Sequence, residues 1–480
     1  MKFYTHFTRK GNFILERGYE NGKRYSRKVE YNPTLFVPAK EETEYRTLDG
    51  KFVAPVDLGS MRDAKEFVDR YETVENFPIY GSTNYAYVYI NEQYPDEVYY
   101  DRELIRIANL DIEVGSENGF PEPDKASEPI TAISLKINNH FYVFGCGKYN
   151  NYRDDVTYSM CRDENDLIMK FIQMWEEKSP DIVTGWNIQF FDIPYLYNRI
   201  NRLMGDKVAN RLSPYRMIGE RTTTIHNRQQ TAFDLVGISI LDYLELYKKF
   251  TYSQQESFRL DHIAYIELAE NKIDYSEYET LHQLYKLDYQ KFIEYNIKDV
   301  ELVDKLDEKM KFIDMVLALA YDAKVNFTDV FTQVRMWDTL THNHLWKKGI
   351  VVPQNKHTSK NEQYAGAYVK EPVPGKYDWV VSFDLNSLYP HLIMQYNVSP
   401  ETIVDGKHTS TTIDDLLNIK YAPDNEYCMA ANGHYFKRNE QGFLPEMMQK
   451  MYDDRLLYKK KMIEAQKELE SVKVQLKELS

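Results

Sequence analysis

Between residues 103 and 300, apolar and polar side chains alternate in short runs. LIRIANLDIEV, PITAISLKI, HFYVFGC, DIVTGWNI and ISILDYLEL carry the period of a half-buried strand. Between them ENDLIMKFIQMWEEKS, FDIPYLYNRINRLMG and LDYQKFIEYNIKDVELVDKLDEKM read as helices. Strands alternating with helices predict an α/β unit. Residues 1–100 read instead as β-rich with a helix. NFILERGY and KRYSRKVEY flank Asn21-Gly22, a pair that tolerates the positive φ angles of a tight hairpin. MRDAKEFVDRYE (61–72) reads as a short helix, and residues 310–350 are mostly helical. At 351 the pattern breaks: VVPQNKHTSKNEQYAGAYVKEPVPGKY is rich in proline, glycine and polar residues and marks a domain boundary. Beyond it, VVSFDLNSLYP predicts a strand that delivers Asp384 to a turn. A β-rich stretch to about residue 440 and one long charged helix follow. The expected fold is α/β plus α+β, in several domains.

Length and composition narrow the class. The chain has 480 residues, 43% of them apolar, enough for more than one core and about three domains by size. Cys146, Cys161 and Cys428 have neither disulfide nor zinc spacing, which fits a reducing cytoplasm. The opening MKFYTHFTRK has no apolar signal core, and no run reaches membrane-spanning length. A soluble, unexported chain without a membrane partner is expected. The net charge of −14 argues at first sight against nucleic acid. Phosphate binding depends on local patches, however, so this objection is weak. Forty tyrosines suit surfaces that stack on bases, although many will be core.

The carboxylates carry the chemistry. In RIANLDIEV the strand period puts Asp111 and Glu113 on one face, opposite Leu110, Ile112 and Val114. Two such carboxylates repel unless a cation lies between them, and Mg²⁺ prefers oxygen ligands. Alone, the pattern describes the wet side of many half-buried strands. In TGWNIQFFDIPYL, Asp192 opens a helix, where aspartate also serves as an ordinary cap. In YNIKDVELV, Tyr295 and Asp299 stand i and i+4 on one helix face, a common hydrogen-bonding pair.

Taken in order, Asp-x-Glu, Asn-x-x-x-Phe-Asp and Tyr-x-x-x-Asp within one α/β unit resemble the 3′→5′ exonuclease domain attached to DNA polymerases. The resemblance implies that Asp111, Glu113, Asp192 and Asp299 bind two divalent metals and that Tyr295 orients the attacking water. It extends along the whole chain. SFDLNSLYP followed by Asn397 looks like the first palm motif of family B DNA polymerases. YAGAYV looks like their template-contacting linker, which implies DNA contacts for Tyr364 and Gly366. GFLPEMMQKMYDDRLLYKKKM resembles the start of their fingers helix. LSPYR, ISILDYLELYKKF and NVSPETI are especially similar to the replicative polymerases of T-even-type bacteriophages. ERTTTIHNRQQTAF (220–233) stands where that family has a β-hairpin that helps part primer from template.

The family implies four parts. These are an N-terminal domain (1–103) with 312–352 packing back on it, an RNase H-like exonuclease domain (104–311), a partial palm (353–441) and a first fingers helix (442–480). It implies that Asp384 binds both polymerase metals with the Leu385 carbonyl as a further ligand. Ser387, Leu388 and Tyr389 would hold the incoming dNTP, the Tyr389 ring excluding a ribose 2′-OH, while Arg455 and Lys459 grip its phosphates. The expected cofactor is Mg²⁺, two per active site, with Mn²⁺ as a substitute. The expected substrates are single-stranded DNA and primer–template, in a host cytoplasm. One departure is His391, where many members have serine.

The family's second palm carboxylate lies in a Tyr-Gly-Asp-Thr-Asp hairpin, and further nucleotide contacts lie in a Lys-x-x-x-Asn-Ser-x-Tyr-Gly helix. Neither motif occurs here. In the last helix Met462, Leu469 and Leu476 recur every seven residues, as do Ala465, Val472 and Leu479. That seam lies on its own domain or awaits a helix of a second chain. The second reading is preferred, because the family's fingers are two antiparallel helices and only the first is present. The second chain would carry the rest of fingers, palm and thumb, and through it a sliding clamp. Either the polymerase is divided between two polypeptides or this chain is a piece of a longer one. The competing expectations are a stand-alone 3′→5′ exonuclease and a non-catalytic DNA-binding scaffold.

Overall fold

The computed structural model describes residues 1–479 apart from 72–73, 75–76, 116, 118, 120, 226–227, 355–368 and 422–424. The side chains of 224–228, 413 and 478–480 are likewise outside the description. The chain divides into two compact units, residues 1–35 with 55–344 and residues 36–54 with 345–480.

The first unit opens with the antiparallel strands β1 (Lys2–Lys10), β2 (Phe13–Glu20) and β3 (Lys23–Glu30). Asn21 and Gly22 at the β2–β3 turn have φ of 53° and 76°, the conformation their sequence predicts. Tyrosine fills much of this core. The buried Glu16 carboxylate accepts hydrogen bonds from the hydroxyls of Tyr25, Tyr89 and Tyr94. Asp181, also buried, accepts from Thr5, Tyr19 and Arg24 and from the Arg106 N–H, so one carboxylate ties β1–β3 to the next sheet. Strands β4 (Thr34–Pro38), β5 (Tyr45–Arg46) and β6 (Phe52–Asp57) form a separate sheet, most of whose residues belong to the second unit. Helices α1 (Met61–Tyr71) and α2 (Tyr85–Gln93) follow.

The six-stranded sheet contains β7 (Ile107–Val114), β8 (Ile130–Ile137), β9 (His140–Gly145), β10 (Val156–Met160), β11 (Ile182–Gly185) and β14 (Ser239–Asp242) in the order β10-β9-β8-β7-β11-β14. β7 is antiparallel to β8 and parallel to β11, so it lies inside the sheet with both edges paired. Helices α3 (Glu164–Lys178), α4 (Asp192–Met204) and α5 (Asp206–Ala209) precede the hairpin β12 (Ile218–Ile225) and β13 (Arg228–Leu235). The turn of this hairpin lies outside the described residues. ISILDYLEL changes state midway: the strand ends at Asp242, which caps helix α6 (Tyr243–Phe250) by accepting the Leu244 N–H. The capping carboxylate overrides the alternation that predicted a longer strand. Helices α7 (Leu260–Leu268), α8 (Leu281–Leu287), α9 (Tyr289–Met310) and α10 (Phe312–Ala323) complete this part. α9 packs on β7 and β8. α10 and the turn after it pack on β1, where Tyr4 donates to the Val325 carbonyl and Tyr321 donates to that of Tyr4.

α11 (Gln333–Trp346) leads to the second unit. There Trp346 stacks on Tyr45 and Ile350 bridges to Arg46. α12 (Leu388–Tyr396), β15 (Ile403–His408), α13 (Ile413–Leu417), β16 (Tyr427–Met429), β17 (His434–Lys437) and the long α14 (Phe443–Leu479) follow. Asn397 accepts the Gly442 N–H and donates to the Lys437 and Glu440 carbonyls, so NVSPET fastens the start of α14. A Cβ on Gly442 would sit 2.5 Å from that of Ser399, which is why glycine stands there. The strand expected before Asp384 does not form. Residues 380–385 have no strand pairing, and Trp379 and Phe383 are 97% and 92% exposed. A strand needs a neighbour for its N–H and C=O groups and a core for one face, and neither lies beside this segment among the described residues.

Candidate active site

β7 brings Asp111 and Glu113 to one face of the sheet, and α9 lies across that face with Tyr295, Asn296 and Asp299. Carboxylate oxygens of Asp111, Glu113 and Asp299 all lie within 4.8 Å of one another. Asp192 opens α4 beside them. Its Oδ1 accepts the Ile112 N–H at 3.0 Å, beyond the point where β7 stops pairing with β11. It adjoins the trio without joining that closest group. The backbone before it is pinned from below: Asp242 accepts the N–H groups of Asn187 and Gln189, each at 3.0 Å. The glycine of TGWN is also dictated, since a Cβ on Gly185 would meet the Leu110 carbonyl oxygen at 2.3 Å.

Four carboxylates packed this way resist ionisation. Burial, then mutual repulsion, raises Asp111 well above the usual carboxylate range. Burial with Asp299 nearby pushes Glu113 up to about 8. Burial pushes Asp192 up to about 7 even though the Ile112 N–H opposes it. Burial raises Asp299 too, against the pull of Lys272. Lys272 is a residue that sequence reasoning missed. Its Nζ donates to Asp299 Oδ2 at 2.5 Å and to the Tyr295 hydroxyl at 3.0 Å. Burial works against its charge, but Asp299, Tyr295 and Asp111 outweigh burial and raise its pKa. It stands in a polar loop (ENKIDY) with no periodicity, where a lysine is normally solvated, so no spacing rule marks it.

One lysine does not balance four carboxylates. Asp299 Oδ1 is buried and has no hydrogen-bond partner among the described residues. Hard oxygen donors, surplus negative charge and an unsatisfied buried oxygen fit a divalent-cation site.

The residues predicted for nucleotide chemistry lie in the second unit. Asp384, Leu385 and Tyr389 are exposed. Ser387 precedes α12 in a left-handed conformation, φ 51°, and its hydroxyl accepts a hydrogen bond from Arg455 of α14 at 2.8 Å. The structure thus joins two of the predicted nucleotide contacts through α12 and α14. Leu388 begins α12 and is exposed, as is Lys459, one turn beyond Arg455. His391 packs edge-on against Tyr452 with ring centroids 4.7 Å apart, so the unusual histidine fills the α12–α14 contact. Tyr364 and Gly366 lie outside the described residues.

Comparison with known proteins bears on both units. Residues 74–263 match the exonuclease domain of DNA polymerase family B, and residues 329–478 match DNA polymerase family B. The chain is 36% identical to the DNA-directed DNA polymerase of Escherichia phage RB69 and 35% identical to that of Enterobacteria phage T4. In each case the match covers 98% of this chain and 55% of the relative. It is 26% identical to the DNA polymerase delta catalytic subunit of Drosophila melanogaster over 72% of this chain and 33% of that protein. The chain spans about half the length of the phage relatives it matches. Two matches to one family take in well over half of the chain, and the chain belongs to the family B DNA polymerases.

Proposed function

We propose that this chain carries the 3′→5′ exonuclease of a family B DNA polymerase together with part of its polymerase site, and that it acts in DNA replication. The convergence of Asp111, Glu113 and Asp299 around an unpartnered Asp299 oxygen supports the first half of this reading. Asp111, Glu113, Asp192 and Asp299 would hold two divalent cations, Mg²⁺ or Mn²⁺, which supply an activated water and neutralise the leaving 3′ oxygen. Tyr295 accepts a hydrogen bond from Lys272, which leaves its own O–H proton free to orient that water. Lys272 would hold Asp299 ionised and face the charge that develops on the phosphate.

The Ser387–Arg455 hydrogen bond supports the second half, since both would meet the triphosphate of a dNTP. Leu388, Tyr389 and Lys459 complete that contact in this reading, and Asp384 with the Leu385 carbonyl would hold the polymerase metals. Tyr364 and Gly366 would meet template strand. The functional parts would be 1–103 with 312–352, 104–311, 353–441 and 442–480. The motif that carries the carboxylate opposite Asp384 in the family does not occur in this sequence. The exposed Trp379–Phe383 segment and the exposed α14 seam at Met462, Leu469, Val472 and Leu476 both need a covering partner. A second polypeptide bearing the rest of fingers, palm and thumb would provide it, and would recruit a sliding clamp. Such an enzyme would work in the cytoplasm of an infected host. No helix among the described residues is long and apolar enough to cross a membrane.

The test is digestion of a 3′-labelled single-stranded oligonucleotide with Mg²⁺ or Mn²⁺. The wild-type chain shortens it from the 3′ end, and the Asp111→Ala/Glu113→Ala variant does not. Digestion by that variant at the normal rate overturns the reading.

A further inference from the structure

The carboxylate cluster contains one more polar side chain, which is neither acid nor base. Asn296 follows Tyr295 on α9 and is wholly buried. Its Nδ2 donates to Asp111 Oδ2 at 2.6 Å. Its Oδ1 accepts from the Ser134 hydroxyl at 2.5 Å. Ser134 is also wholly buried, on β8, and is the direct register partner of Asp111 across the β7–β8 pair. Two wholly buried side chains and the partly buried Asp111, on three elements, thus form a directed chain, hydroxyl to amide to carboxylate.

We infer that Asn296 is a positioning residue for Asp111 and that Ser134 sets the direction in which Asn296 works. The inference rests on the exonuclease reading above. An amide has two faces, one that donates and one that accepts. With its oxygen engaged by Ser134, only the NH₂ end can face Asp111. That end occupies one carboxylate oxygen, fixes the plane of the group, and leaves the other oxygen to the cluster. Turned over, the amide would set its oxygen against a carboxylate and repel it. In a buried site such an outer contact fixes a ligand without touching the ion, and its loss typically costs about 10–100-fold in metal affinity. Leaving a buried partner unsatisfied adds to the cost. Asn296 therefore acts on metal binding through Asp111 and has no part in proton transfer.

The experiment titrates Mn²⁺ into the full chain and reads free Mn²⁺ by electron paramagnetic resonance, with melting temperature as a fold control. It is run in an Asp384→Ala background so that the second unit adds nothing. Four further substitutions are compared: Asp111→Ala, Asn296→Ala, Ser134→Ala and the Ser134→Ala/Asn296→Ala pair. Asn296→Ala should weaken Mn²⁺ binding about 10–100-fold, and Ser134→Ala roughly threefold to tenfold. The pair should be no weaker than Asn296→Ala alone, because Ser134 acts only through the amide. A merely structural role predicts lower melting temperatures with unchanged Mn²⁺ affinity, and that result overturns the inference. So do additive losses in the pair. If Asn296→Ala does not fold, Ser134→Ala decides: unchanged affinity there overturns the inference equally. Should the unsubstituted cluster bind no Mn²⁺, or Asp111→Ala bind it as well, the exonuclease reading falls too. Normal binding lost in Asp111→Ala but kept in Asn296→Ala removes only the positioning role.

Discussion

The two regions that hold the predicted chemistry are built in opposite ways. Around Asp111 the cluster is held from several sides: β7 inside a six-stranded sheet carries Asp111 and Glu113, Asn296 holds Asp111, the Ile112 N–H holds Asp192 and Lys272 holds Asp299. Around Asp384 almost nothing is fixed. Its flanking segment pairs with no strand among the described residues, Phe383 and Leu385 are exposed, and the α12–α14 contact orders the residues after it. A site whose elements are all on one stretch of chain closes by itself, because sheet and helix bury one another. Around Asp384 the apolar residues find no such cover among the described residues and stay exposed. The contrast leads us to expect activity that divides along the same line.

The largest effect should come from separating the two regions by substitution. Asp299→Ala removes a proposed ligand and should lower exonuclease turnover by roughly two orders of magnitude or more, while Asp384→Ala leaves exonuclease on single strands unchanged. The lone chain should not extend a primer measurably. Facing carboxylates are needed to stabilise the attacking and leaving oxygens, and the Tyr-Gly-Asp-Thr-Asp motif that carries the second one in the family does not occur in this sequence. Robust templated synthesis by this chain alone, abolished by Asp384→Ala, would sink the incomplete-palm reading.

The α14 seam gives the next effect. Met462, Leu469, Val472 and Leu476 are exposed, so the alternative in which this helix lies on its own domain does not hold for the described residues. Burying such side chains stabilises by roughly 1.5–3 kcal/mol each when complete, less with partial burial and association entropy. Leu469→Asp with Leu476→Asp should therefore weaken assembly with a complementing polymerase chain at least tenfold, an order-of-magnitude figure on the same basis. Exonuclease on single strands should be spared. Pull-down of the partner together with primer extension measures both, and equal loss of the two activities would mean that the substitutions act on folding.

Tyr295→Phe sharpens the exonuclease side. It removes one hydroxyl, which Lys272 contacts, and leaves every carboxylate in place. Turnover should fall about tenfold, within the range of a single positioning hydrogen bond, with Mn²⁺ affinity unchanged. A fall as deep as that of Asp299→Ala, with affinity also lost, would assign Tyr295 to holding the fold.

Much of this was legible because the signals were local. Alternation placed Asp111 and Glu113 on one face, helical spacing put Tyr295 and Asp299 together, and Asn21-Gly22 announced its hairpin. What stayed hidden depended on distant partners. YAYVYINEQ has the aromatic and β-branched residues of a strand, yet folds as α2, where Tyr89 reaches Glu16. VTYSM is an edge strand, β10, too short to declare itself. Lys272 acquires its place only when its loop meets α9. The segment before Asp384 failed in the other direction: its pattern is that of a strand, but it finds no pairing neighbour among the described residues.

The smallest effect concerns the support beneath Asp192. Asp242 is buried without access to solvent and accepts three backbone N–H groups, from Asn187, Gln189 and Leu244. Burial nevertheless pushes its pKa up to about 6. A carboxyl raised in the folded state contributes stability that is fully present below its unfolded pKa of about 3.9 and is lost as pH rises through about 6. Between pH 4.5 and 7.5 the ionised group should cost about 2 kcal/mol of folding stability through linkage. Asp242→Asn cannot ionise, so the variant should lack this slope, although its amide NH₂ meets one loop N–H where an oxygen was and lowers stability at both pH values. Urea denaturation of both proteins in EDTA at the two pH values checks it. The stability gap between wild type and variant should narrow by about 2 kcal/mol on going to pH 7.5. A gap independent of pH would show that the three N–H donors hold Asp242 ionised throughout, and that the loop before Asp192 rests on charge instead of on a shared proton.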